Sequence, residues 1–108
     1  MMKKRGHKFL YMEEIRMKTY QIVTSDFGWK KVNHEFILFS TKQNSYYSLN
    51  QTSEQIWTFL YNNTSSTINT IVNYMQEKYP MCPRHELQQD IEDLMGWFIT
   101  YGIVKEEG

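Results

Sequence analysis

The chain has 108 residues, enough for one domain with a modest core and too few for a deep enzyme cleft. Aromatic residues make up 16% of it, which supports a compact core with some rings to spare for a binding surface. Net charge is formally zero but unevenly divided: residues 1–50 carry nine Lys and Arg against four Asp and Glu, and residues 51–108 carry three against eight.

Residues 1–18 are first basic and then mixed, without a sustained period, and read as a flexible basic extension ahead of a domain over residues 19–108. Met1-Met2-Lys3-Lys4-Arg5 imitates the basic end of a signal peptide, but Phe9-Leu10-Tyr11-Met12 is too short an apolar stretch and Glu13-Glu14 interrupt it. Met17 is an alternative start, because Met17-Lys18-Thr19 opens a coherent segment. No apolar run approaches the roughly 20 residues of a membrane span. The lone Cys82 has no partner for an internal disulfide. A cytoplasmic protein is expected, without a membrane partner.

Tyr20-Gln21-Ile22-Val23-Thr24 is β-prone but isolated. Ser25-Asp26-Phe27-Gly28 reads as a turn, Trp29 to Val32 as a first short strand, and Asn33-His34 as a hairpin tip of open turn type. Glu35 to Ser40 is almost continuously apolar and predicts the central strand. After the polar turn Thr41 to Asn44, Ser45 to Leu49 alternates, with Tyr47 and Leu49 on one face and Tyr46 and Ser48 on the other. These three strands make an antiparallel meander, which needs helices to pack against.

At Asn50 the period changes. Asn50 is a good N-cap for a first helix, about Gln51 to Tyr61, with Ile56, Trp57, Phe59 and Leu60 at or beside its apolar stripe. Thr67 caps a second, with Ile68, Ile71, Val72 and Met75 on one face and a stop at Tyr79-Pro80. Pro83 suits the first position of a third, whose stripe is Leu87, Ile91, Leu94 and Phe98 and whose end is marked by Gly102. Gly96 inside that helix costs about 1 kcal/mol relative to Ala unless something must approach it closely. The predicted fold class is α+β: a winged helix-turn-helix-like domain with a three-stranded meander followed by three helices.

Tyr46-Tyr47-Ser48-Leu49-Asn50 with Ile56-Trp57 and Leu60 resembles the "yysLN…iW..L" signature of the PqqD-like family. Thr67-Ile68 with Ile71-Val72 resembles its "Tv.eiv" helix, and Asp90-Ile91, Leu94-Met95, Phe98 and Gly102-Ile103-Val104 its closing segment. The ordered set spans roughly residues 28–105. The long basic N-terminus, Gly96-Trp97 and Cys82-Pro83 depart from the pattern without touching the core positions.

The resemblance implies a precursor-peptide recognition element, which binds the leader segment of a ribosomally made peptide and presents it to a modifying enzyme or leader protease. It implies no catalysis and no cofactor, and a monomer is expected. A lasso-peptide system fits a stand-alone recognition protein, although the residues do not separate it from radical-SAM-modified or quinone-cofactor systems. By the family's mode of strand addition, Ser45, Tyr46, Tyr47, Ser48 and Leu49 would form the accepting strand, and Asp90, Leu94 and Trp97 the facing wall. From the residues themselves, Tyr47, Leu49 and Trp57 are expected in the core. Trp97, at the edge of its stripe, suits exposure and sheet cover equally.

Catalytic readings are poor. His7, His34 and His85 have no second ligand at metal spacing, and no Gly-rich phosphate loop is present. Glu86, Asp90 and Asp93 share one side of a helix, where a solvated charged face is the ordinary outcome. The competing reading is a winged-helix DNA-binding regulator. Its recognition helix should carry cations, whereas the third helix has Arg84 followed by Glu86, Asp90, Glu92 and Asp93. No nucleic-acid partner is expected.

Overall fold

A computed structural model describes residues 18–108; the expectations placed on residues 1–17, the basic extension and the start at Met17, lie outside the described residues. Five strands and three helices follow one another as β1 (Thr19–Ile22), β2 (Phe27–Val32), β3 (Glu35–Ser40), β4 (Ser45–Leu49), α1 (Gln51–Asn62), α2 (Ile68–Lys78), α3 (Arg84–Thr100) and β5 (Val104–Glu107). The meander has the order β2-β3-β4, antiparallel throughout. The α+β architecture expected from the sequence is present, with two changes.

The first change is at the start of β2. Phe27 and Gly28, read from sequence as part of a turn, already pair with Ser40 and Phe39. The Phe39 ring lies across Gly28, so that a Cβ there would come within 2.3 Å of it. The glycine thus makes room for a cross-strand ring, which is a strand role.

The second change is a separate two-stranded sheet. The segment after Thr19 is not isolated: β1 pairs antiparallel with β5, Ile22 opposite Val104 and Thr19 opposite Glu107. Tyr20 also exchanges both main-chain hydrogen bonds with Ser66, at 2.8 and 3.1 Å. Tyr20, Ile22 and Val104 are buried in the common core. The Tyr20 hydroxyl donates to Glu106 Oε2 at 3.1 Å. Burial first, then the hydrogen bond and negative charge of Glu106, push the phenol from its ordinary value near 10.0 up to about 12. Its contribution to stability is complete below pH 10, where folded and unfolded forms both keep the proton. It is lost between pH 10 and 12, because the unfolded phenol ionises first, at about 1.4 kcal/mol per pH unit. Urea unfolding at pH 9 and 11.5 checks this: the wild type should lose more stability over that interval than Tyr20→Phe.

The helix boundaries follow local chemistry. Asn50 Oδ1 accepts from Ser53 N at 2.8 Å and starts α1, and Thr67 Oγ1 accepts from Thr70 N at 3.2 Å and starts α2. Pro83 is the N-cap of α3 rather than its first helical residue, so the helix opens at Arg84. Gly102, at φ 75, takes the left-handed position after the last turn.

The inner face of the meander packs on the helices through Phe36, Leu38 and Leu49, against a core that includes Ile56, Trp57, Leu60, Ile71, Val72, Met75, Leu87, Ile91, Met95, Phe98 and Ile103. Trp57 is a core residue, as expected. Its ring stacks on Tyr61, centroids 5.1 Å apart, and meets Phe36 and Trp29. Gly96 faces open space, with no neighbour within 4 Å of a built Cβ. No packing reason offsets its helix cost, so Gly96→Ala should stabilise the domain by about 0.5–1 kcal/mol, read as a raised urea midpoint at unchanged slope.

Candidate functional site

The turn between β2 and β3 settles which backbone groups of the meander are unused. Asn33 and His34 both have positive φ, 51 and 70, which defines a two-residue type I′ hairpin. In such a hairpin the flanking pair, Val32 and Glu35, exchanges both hydrogen bonds, and bonded pairs then alternate along the ladder. Glu35, Ile37 and Phe39 therefore turn their main-chain groups toward β2, and Phe36, Leu38 and Ser40 toward β4. Their partners on β4 are Leu49, Tyr47 and Ser45. What remains is the main chain of Tyr46 and Ser48, whose N–H and C=O groups point away from β3. No strand pairs with that edge among the described residues.

Both residues are exposed on the outer face, Tyr46 at 77%. That face also carries Val32, Ile37 and Phe39, which border an open depression together with Tyr46 and Lys30. The expectation that Tyr46 and Ser48 point away from the core holds. Leu49 is buried, as expected. Tyr47 is only half-buried and packs against the core without entering it, because its ring meets α3 at the rim of the sheet.

That meeting gathers an aromatic cluster beside β4. Tyr47 lies edge-on to Trp97 with centroids 5.9 Å apart, and Tyr101 joins both rings, at 5.1 Å from Tyr47 and 4.6 Å from Trp97. Trp97 is 39% exposed while covering Tyr47, so the two roles left open for it coexist. One helical turn back, a recess of about 460 Å³ opens between the start of α1 and α3. Its floor includes Ile56, Met75, Leu87, Ile91 and Leu94, and its rim includes Asn50, Ser53, Asp90 and Asp93. Asp90 is an exposed rim carboxylate, and Leu94 is a half-buried wall residue that also packs on the core.

Of the residues singled out, the structure brings Tyr47 against Trp97 and places Asp90 and Leu94 at the recess between α1 and α3, whereas Ser45 and Tyr46 border the depression on the outer face and Ser48 and Leu49 a separate one with Lys31, His34 and Glu54. Residues not assigned to binding from the sequence lie beside them. Tyr101 and Asp93 could have been found, since Tyr101 follows Trp97 by four positions and Asp93 precedes it by four. Asn50, Ser53 and Ile56 carried no such signal, because their place depends on how α1 packs against α3. Among the described residues, no three His, Cys, Asp or Glu side chains gather into a possible metal site. None of the helices there is long and apolar enough to cross a membrane.

A small α+β domain with an unpaired edge strand beside an aromatic cluster is the architecture of a module that can take up an extended chain. Residues 35–104 match the model of the family described as coenzyme PQQ synthesis protein D (PqqD), and the chain belongs to that family. Two solved structures share the fold. "TbiB1 in Complex with the TbiA(beta) Leader Peptide" has 16% sequence identity and a TM-score of 0.69, covering 79% of this chain and 94% of that one. "Lasso peptide synthetase B1 complexed with the leader peptide" has 15% identity and a TM-score of 0.68, covering 80% and 96%. None of the curated proteins matches.

Proposed function

We propose that this chain is a non-catalytic recognition protein that binds the leader segment of a ribosomally synthesised precursor peptide and presents it to a modifying enzyme or leader protease. The observation that carries this reading is the unpaired main chain of Tyr46 and Ser48 on a strand whose Tyr47 ring meets Trp97 and Tyr101 of α3. An extended peptide adding to β4 gains main-chain hydrogen bonds there, and side chains on its inner face gain contact with α3. The family, and the leader peptides held by both similar solved structures, support the same reading. Of the systems that use such proteins, the lasso-peptide type is supported by the second of these structures, a lasso peptide synthetase B1. The site residues in this reading are Ser45, Tyr46, Tyr47, Ser48 and Leu49 on the strand and Asp90, Leu94 and Trp97 on the wall.

The DNA-regulator reading fits the charge poorly. The α3 helix has Glu86, Asp90, Glu92 and Asp93 exposed, and phosphate would be repelled along that surface. The test is fluorescence polarisation with the labelled leader of a precursor encoded beside this gene, beside a gel shift on random duplex DNA at low salt. Micromolar or tighter leader binding with no DNA retardation is expected. No neighbouring precursor, no leader binding, or salt-sensitive DNA retardation would each overturn the proposal.

A further inference from the structure

We infer that the groove beside β4 selects an extended peptide with a lysine or arginine two residues before a large apolar or aromatic residue. This rests on strand addition as proposed above and names the chemistry of the occupant. An antiparallel partner of β4 would bond to the main chain of Ser48 and Tyr46. The peptide residues opposite Leu49 and Tyr47 would then turn their side chains onto the groove face. Because β4 runs toward Asn50, the partner runs the other way and reaches Leu49 first.

The spacing along both walls agrees. Two residues of an extended chain advance about 6.8 Å. The four residues from Asp93 to Trp97 advance about 6.0 Å along α3. In this pose the earlier side chain stands at the end of β4, next to the recess that Asn50 borders, and the later one against Tyr47, Trp97 and Tyr101.

These two ends differ in chemistry. The aromatic end offers three rings and no charge. The recess pairs an apolar floor of Ile56, Ile91 and Leu94 with the carboxylates of Asp90 and Asp93 at its rim. Among the described residues neither carboxylate is in an ion pair, and Asp93 accepts only from Gln89 Nε2, at 3.0 Å. A lysine or arginine fits both halves, with its methylene stem on the floor and its charged head at the rim. A glutamate would be repelled, and an aliphatic residue would leave the carboxylates without a counter-charge.

The test is selection of a displayed random twelve-residue peptide library on the full-length protein, followed by polarisation measurements on synthetic labelled copies of the selected peptides. Each is measured against the wild type, Ser48→Pro and the Asp90→Asn, Asp93→Asn double variant. Peptides that need Ser48 should be enriched in the pattern of a basic residue, any residue, then a large apolar one. Replacing the basic residue by glutamate should weaken wild-type binding about tenfold at 50 mM salt, less at 500 mM, and much less in the double variant. Peptides that need Ser48 but are indifferent to this charge would overturn the inference and leave strand addition standing. A selection that returns no Ser48-dependent peptide would overturn strand addition, and the inference with it.

Discussion

Ser48→Pro should weaken leader binding at least several-fold, with the domain still folded by circular dichroism. The Ser48 N–H points away from β3, so proline removes a donor that the fold itself does not use. A net hydrogen bond contributes about 1 kcal/mol, and the ring also crowds the approach of a partner strand. Since 1.4 kcal/mol is tenfold in affinity, a loss of five- to thirtyfold is expected. Trp97→Ala probes the other source of energy. Removing its ring opens the aromatic end of the groove, where burying one large side chain of the peptide contributes about 2 kcal/mol. It too should cost several-fold in affinity without unfolding the domain, because the ring is at the rim and partly exposed. Leu94→Asp would be a poor probe, since Leu94 also packs on the core. Full affinity in both folded variants would place the peptide site elsewhere.

Phe98→Ala should have the largest effect on stability. Its side chain is fully buried among the helices and the inner face of the sheet. Truncating a buried Phe costs about 3–5 kcal/mol, in lost burial and in the cavity left behind. A domain of this size has about 5–14 kcal/mol in all, so the variant should lose at least about a fifth of its stability. Urea unfolding measures it. A loss below 1 kcal/mol would mean that the core closes around the gap, against the full burial of this ring.

The parts of this fold that were legible in the sequence are those set by local chemistry. Asn50 and Thr67 announce their helices through side chains that can accept from the first turn, and both do so. The alternation of Tyr46, Tyr47, Ser48 and Leu49 gave the two faces of β4 directly. Pairing over long separations was not legible. Thr19 to Ile22 has a β-prone composition, but its partner lies beyond all three helices, and no residue in either strand names the other. Gly28 misled for a related reason: a glycine beside Asp26 looks like a turn until the ring that crosses it from Phe39 is known. In the candidate site, the two walls could be listed but not their separation. The Tyr47 ring was assigned to the core because its face was known while the position of Trp97 and Tyr101 over it was not.

The pairing of β1 with β5 has a consequence for how the chain folds during synthesis. Tyr20 and Glu106, joined through the phenol, lie 86 residues apart. Strand β1 therefore waits, unpaired on one side, until residues 104–107 have left the ribosome. The meander and the three helices rely on closer contacts and can assemble earlier. Joining the ends of a long loop adds only about 0.6 kcal/mol for each doubling of its length, so the delay is one of timing far more than of energy. Until then Ile22 and Val104 lack each other's cover. A nascent chain stalled before residue 104 would present a β4 edge already formed on a domain not yet closed.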